Sequence, residues 1–205
     1  MKRIVIPLLA LLLGACAITA PAPEQRYHVL AAPAAASTAS AASAAPRAAR
    51  HAATLLVAPT TAAPFYDTQD IVFSRSAGTR STYQFSGWTE APSRRLNTLL
   101  IARLESAGAF ASVVPATSGV RGDLLLRTHL EEIYHDAATP PGMARVVLSA
   151  ELSDRTKRVL VGRRTFSVDV PVSSYDADGA VRGIGLAVGL ALDELTAWVD
   201  SNAPT

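Results

Sequence analysis

The stretch Phe65 to Val114, FYDTQDIVFSRSAGTRSTYQFSGWTEAPSRRLNTLLIARLESAGAFASVV, is the most informative part of this 205-residue chain. Asp70 to Arg75 and Arg80 to Ser86 are strand-like runs around Ser76-Ala77-Gly78-Thr79, a sequence whose small residues and glycine suit a turn. In the second run Tyr83 and Phe85 project to one face, and Thr82, Gln84 and Ser86 to the other. Pro92 stands near the start of the next element, where a missing N–H costs nothing. Leu96, Leu99, Leu100, Leu104 and Ala107 then recur at helical spacing, with Arg94, Arg95, Arg103 and Glu105 largely off that stripe. Gly108 is a natural C-cap. The pattern predicts a hairpin followed by an amphipathic helix. Phe85 and Phe110 read as core aromatics. Trp88, in the connection and flanked by polar residues, is open to both core packing and partner contact.

Elements of the same kind flank this stretch. Thr54 to Pro59 is a short apolar run suited to a buried strand, and Phe110 to Val114 resumes strand character. Gly122 to His135 is a long strand, with Leu124, Leu126, Thr128 and Leu130 on one face and Arg127, His129 and Glu131 on the other. Met143 to Asp154 alternates with Val146, Leu148, Ala150 and Leu152 inward. Arg158 to Val170 returns with Leu160, Phe166, Val168 and Val170. Short polar connections make these three an antiparallel meander. A final helix from about Ala180 to Ser201 presents Ile184, Val188, Ala191, Leu192, Leu195 and Val199 on one stripe, beside Trp198. Gly183, Gly185 and Gly189 each cost roughly 1 kcal/mol relative to alanine in a helix, which points to close packing or a late helix start. The expected class is α/β in the α+β sense. It has two layers, a mixed, mostly antiparallel sheet and two main helices on one face.

Upstream, MKRIVIPLLALLLGAC has a basic start, an apolar run from Ile4 to Leu13 and small residues before Cys16. That is a signal-peptide layout, with an apolar run too short to span a bilayer. Leu13-Gly14-Ala15-Cys16 resembles the bacterial lipobox, which implies a signal peptide over 1–15 and an acylated, membrane-anchored Cys16. Ala17, rather than aspartate, follows the cysteine, which by resemblance favours the periplasmic face of the outer membrane. Residues 16–53 are rich in Ala, Ser and Pro and read as a flexible tether. Tyr27-His28-Val29-Leu30 interrupts it and is equally compatible with an edge strand. The folded domain is expected over 54–202.

Composition narrows function further. Removing Lys2 and Arg3 from 19 basic side chains leaves 17, equal to the 17 acidic ones, so no general nucleic-acid field is supported. A single cysteine excludes an intrachain disulfide and a multi-cysteine metal cage. Gly183-x-Gly185-x-x-x-Gly189 follows no strand and is one residue too long for a dinucleotide fingerprint, and no P-loop, G-x-S-x-G or H-E-x-x-H pattern occurs. His129 and His135 share a predicted strand face with Glu131. They lie about 20 Å apart along a strand, too far for one metal, and read as solvated. Asp176 and Asp178 lack the other ligands of a calcium loop and suit a turn leading into a helix. The sequence therefore predicts no catalytic residue, no metal site and no cofactor.

The central stretch resembles the ABC-type transport auxiliary lipoproteins, a family that includes the paraquat-inducible protein C group and lipoproteins of Mla-like, MCE-containing transporters. The resemblance rests on Tyr66-Asp67-Thr68, Ile71-Val72, Arg75, Tyr83 with Phe85, Trp88, Pro92, the leucines from Leu96 to Leu104, and Gly108-Ala109-Phe110-Ala111-Ser112-Val113. Asp67-Thr68-Gln69-Asp70 departs from the Asp-Arg-Pro-Gln of the paraquat-inducible branch and favours the Mla-like one. The resemblance implies a non-enzymatic auxiliary lipoprotein in ATP-driven phospholipid transport. Its partner would be an MCE-domain substrate-binding protein, and there is room for a homo-oligomer. Asp67, Arg75, Tyr83 and Trp88 are the candidates for the partner interface. Two rival readings are a lipoprotein regulating a cell-wall synthase, for which a long tether is apt, and a periplasmic hydrolase, which requires a deep pocket with converging polar groups.

Overall fold

The computed structural model describes residues 24–33 and 49–204. The expected signal peptide, Cys16, and residues 17–23 and 34–48 of the expected tether lie outside the described residues.

One strand organises the nine-stranded mixed sheet. For order of use, the elements are β1 (Arg26–His28), β2 (His51–Val57), β3 (Thr61–Ala62), β4 (Asp70–Ser74), β5 (Ser81–Trp88), α1 (Pro92–Ala107), β6 (Phe110–Pro115), β7 (Leu124–Asp136), β8 (Met143–Asp154), β9 (Val159–Pro171) and α2 (Ala177–Asn202). β7 pairs antiparallel with β8 along its length, and β8 with β9. Its other edge is shared by three short parallel strands in turn: β2 beside residues 124–126, β3 beside 129–130 and β4 beside 135–136. Pro59 and Pro64, which have no N–H to give a ladder, fall in the gaps between those strands. β6 extends the sheet beyond β2 in parallel, β5 extends it beyond β4 antiparallel, and β1 lies parallel on the edge of β5. The long ladders are antiparallel and the parallel ones are short.

Both helices cover the same face of the sheet. α1 buries Leu96, Leu100 and Leu104, and Gly108 closes it in the left-handed conformation with its N–H on the Glu105 carbonyl. α2 packs over β8 and β9 and against α1, and it buries the whole predicted stripe together with Trp198. Asp176 caps α2, its carboxylate accepting from the Gly179 N–H at 2.7 Å. The predicted start near Ala180 was too late by one turn.

Three of the sheet's irregularities bear on the expected side-chain directions. A shift between Leu130 and Glu132 moves the inward row of β7 from Leu126 and Leu130 to Ile133 and His135. His135 is therefore fully buried, a correction to its reading as solvated, and it shares no face with His129. A shift between Leu152 and Ser153 sets Leu160 opposite Ser153 on the outer face, where it is 56% exposed rather than in the core. A third, between Asp70 and Val72, separates the two ends of β5. Phe85 was expected in the core, and Trp88 was open to core packing or partner contact. Phe85 is 40% exposed and Trp88 only 2%.

Residues 26–33 belong to the domain, although their composition placed them in the tether. After β1 the chain lies between α1 and α2. Arg95 Nε donates to the Leu30 carbonyl at 3.0 Å and Arg103 donates to that of Ala32 at 3.2 Å. The intervening carbonyls face α2, where a Cβ on Gly185 would sit 2.5 Å from the Ala31 oxygen and one on Gly189 2.5 Å from the Pro33 oxygen. The Leu30 side chain fills the space between the helices and is 2% exposed. Gly185 and Gly189 thus admit a backbone, while Gly183 closes on Val172 and Ala144 of the sheet layer. Arg50 and His51 both bond to Asp200 near the end of α2, where the chain rejoins the sheet.

Candidate partner-binding face

The β4–β5 hairpin, the end of β7 and the segment leading into α2 bring five aromatic and basic side chains together. Phe73 and Tyr83 pack with ring centroids 4.8 Å apart, Tyr83 stacks near His135 at 6.4 Å, and Tyr175 meets His135 edge-on at 5.9 Å. The Arg75 guanidinium lies 5.1 Å from the Phe73 ring centroid, within cation–π range. Arg75 is exposed, Tyr175 is 43% exposed, and Phe85 follows two residues along β5 from Tyr83.

A hydrogen-bond chain beneath them fixes the cluster. His135 Nε2 lies 2.9 Å from the Pro141 carbonyl, which can only accept, so this nitrogen donates. Nδ1 is left to accept from the Tyr83 hydroxyl at 2.7 Å. Burial pushes the Tyr83 phenol up to about 12, with Asp176 and Tyr175 adding to the shift and Arg75 opposing it. Tyr83 therefore stays a hydroxyl donor at physiological pH. The Tyr175 hydroxyl donates to the Ala137 carbonyl at 2.8 Å, which ties its ring to the end of β7 while one face stays open. Arg80 braces the hairpin from behind, with Nε on the Tyr66 hydroxyl at 2.8 Å and its guanidinium 3.8 Å from the Tyr134 ring centroid.

The four residues expected at a partner interface have separate fates. Arg75 and Tyr83 meet in this cluster. Asp67 accepts from the Ser93 hydroxyl at 2.8 Å and organises the start of α1. Trp88 is in the core, 2% exposed, and presents no surface to a partner. Sequence reasoning missed Phe73, His135 and Tyr175. Tyr175 carried a signal, since an aromatic just before an N-cap residue is placed to pack back on the helix start.

The other open face of the sheet is polar. A hollow of about 430 Å³ there is lined by Thr61, Arg127, His129, Glu151, Arg163 and Thr165 among others. Glu151 lies 3.7 Å from Arg127 and 2.5 Å from Arg163, so one carboxylate bridges two arginines across the strands. His129 donates to or accepts from Thr61 at 2.8 Å. Among the described residues no group of three or more His, Cys, Asp or Glu side chains is placed to hold a metal ion, and no helix is long and apolar enough to cross a membrane.

Similar folds occur among solved structures. Protein XCC0632 from Xanthomonas campestris is 23% identical, with a TM-score of 0.69, 88% of this chain covered and 94% of that one. An uncharacterised protein is 13% identical at a TM-score of 0.65, covering 86% and 99%. The hypothetical protein CT253 from Chlamydia trachomatis is 11% identical at 0.50, covering 73% and 96%. At these identities the likeness concerns the fold. No curated protein matches the chain. The family model for the ABC-type transport auxiliary lipoprotein component matches residues 29–196, so its match begins in the segment that lies between the helices, and residues 26–33 are called the strap below.

Proposed function

Because the chain belongs to the family of ABC-type transport auxiliary lipoprotein components, we propose that it is the non-enzymatic, outer-membrane subunit of an MCE-containing phospholipid transport system, anchored through acylated Cys16. The observation that carries this reading is the exposed aromatic–arginine face around Arg75 and Tyr175. Tyr and Arg dominate protein-binding hot spots because they bring large contact area and directed hydrogen bonds at low entropic cost. A rigid base made by the Tyr83–His135–Pro141 chain holds that face in place before a partner arrives. The partner it suits is the MCE-domain substrate-binding protein of the transporter.

The cell-wall synthase reading loses its main support. It drew on a long tether, and residues 26–33 of that tether are built into the domain, first as β1 and then between the helices. Capture of an MCE-domain protein by the mature, acylated lipoprotein tests the proposal. Arg75→Ala with Tyr175→Ala, both at exposed positions, should lower recovery about tenfold, equivalent to about 1.4 kcal/mol of binding. Undiminished recovery by the folded double variant would sink the interface.

A further inference from the structure

Residues 29–33 are apolar on both sides. His28, Leu30 and Ala32 turn toward the protein, whereas Tyr27, Val29, Ala31 and Pro33 turn outward, with Tyr27 63% and Val29 56% exposed. A strand-like segment with one face in water ordinarily carries polar residues on that face. The outward row is continuous with the outer ridge of α2, where Leu186 and Leu190 are 48% and 43% exposed. Between row and ridge runs a groove of about 340 Å³, lined by Val29, Ala31, Pro33, Val181, Gly185 and Leu186. Arg182 also borders it and donates to the Ser173 and Ser174 hydroxyls, at 2.9 and 3.3 Å.

The place of this surface along the chain says what covers it. Ten residue steps separate Cys16 from Arg26, so even a fully extended link spans at most about 35 Å. A short leash of this kind holds the two ends at millimolar effective concentration, at which a surface of modest affinity is largely occupied. We infer that the face built from Val29, Leu186 and Leu190 rests on the phospholipid surface that carries the acyl anchor. The leucines and Val29 enter the interfacial zone and Arg182 meets lipid phosphates. This inference rests on acylation of Cys16. It places the aromatic–arginine cluster at a fixed orientation to the membrane instead of at the end of a freely swinging tether.

Cys16 is the only cysteine, so once it is acylated a single introduced thiol can be labelled cleanly. Val29→Cys, Leu186→Cys and Leu190→Cys, with Thr165→Cys on the uncovered sheet face as reference, would carry a small fluorophore in acylated protein reconstituted into phosphatidylglycerol–phosphatidylethanolamine vesicles. Quenching by lipids with a nitroxide near the headgroup should be at least about twofold stronger at the first three positions than at 165, as expected for groups inserted into the headgroup zone. Leu186→Asp with Leu190→Asp should bring quenching at position 29 down to the level at 165. Protein that floats with the vesicles but shows equal quenching at all four positions overturns the inference alone. Protein that lacks the mass of the acyl chains and fails to float overturns the anchor reading, and the inference with it.

Discussion

β7 and the strap formed by residues 26–33 are both extended, both central to the packing, and held by different means. β7 has a ladder partner on each edge and places Leu126 and Leu130 at full burial in the middle of the sheet. The strap has three ladder pairs, then relies on two arginines of α1, two glycines of α2 and one buried leucine. The first kind of placement is cooperative with the whole fold. The second depends on a few separable contacts, so it can be weakened without unfolding the domain.

Leu126→Ala and Leu30→Ala probe the two regions with the same chemistry. Removing the Leu126 side chain should cost about 2–5 kcal/mol and shift the global urea midpoint. Leu30→Ala should leave that midpoint much nearer to wild type, because release of the strap limits the loss; equal shifts would erase the distinction. Gly185→Leu with Gly189→Leu is next in size. The added side chains collide with the Ala31 and Pro33 carbonyls, so the strap should leave and forfeit about 1.5–3 kcal/mol of Leu30 burial, partly offset by better helix propensity. Limited proteolysis should then cut near residue 30 while circular dichroism stays unchanged; resistance equal to wild type would contradict the fit.

Asp176→Ala should have the smallest effect, about 0.5–2 kcal/mol, typical of a lost N-cap. The Gly179 N–H and then the Ser174 hydroxyl hold the Asp176 carboxyl below its ordinary range. Its contribution is therefore present above the unfolded value near 4 and is lost as pH falls through the lower folded value. Urea midpoints of wild type and variant should differ at pH 7 and converge at strongly acid pH. A constant difference would show that the cap does not act through its charge. Arg26 pairs with Asp178 in the same first turn at 3.1 Å, so fraying there should loosen the start of the strap and leave β7 intact.

The elements that share one physical signal were legible in the sequence. The hairpin, α1 with its glycine cap, the three-strand meander and the stripe of α2 all follow from periodicity. Register was not. Each of these three irregularities inserts an odd offset between ladder segments, which is how His135 turns in and Leu160 turns out, and Phe85 lies in the part of β5 that the third one leaves unpaired with β4. The strap was hidden for another reason. Its docking comes from backbone carbonyls, arginines 65 and 71 positions away and glycines on α2, and none of these alters the local composition of residues 29–33. The glycines were noticed as costly in a helix, and only the fold shows that they accommodate a chain. The partner face was half visible, through Arg75 and Tyr83, because its other members come from Phe73 on the paired strand and from Tyr175 a hundred residues later.

The rate at which a water-soluble maleimide labels Leu30→Cys in the intact acylated protein, alone and combined with Gly185→Leu and Gly189→Leu, tests the organisation most directly, because the Leu30 side chain is buried. A docked strap predicts labelling slowed by at least about tenfold relative to an unstructured peptide, and a return to the peptide rate in the combined variant while the fold persists. Labelling of Leu30→Cys alone at the peptide rate would contradict it.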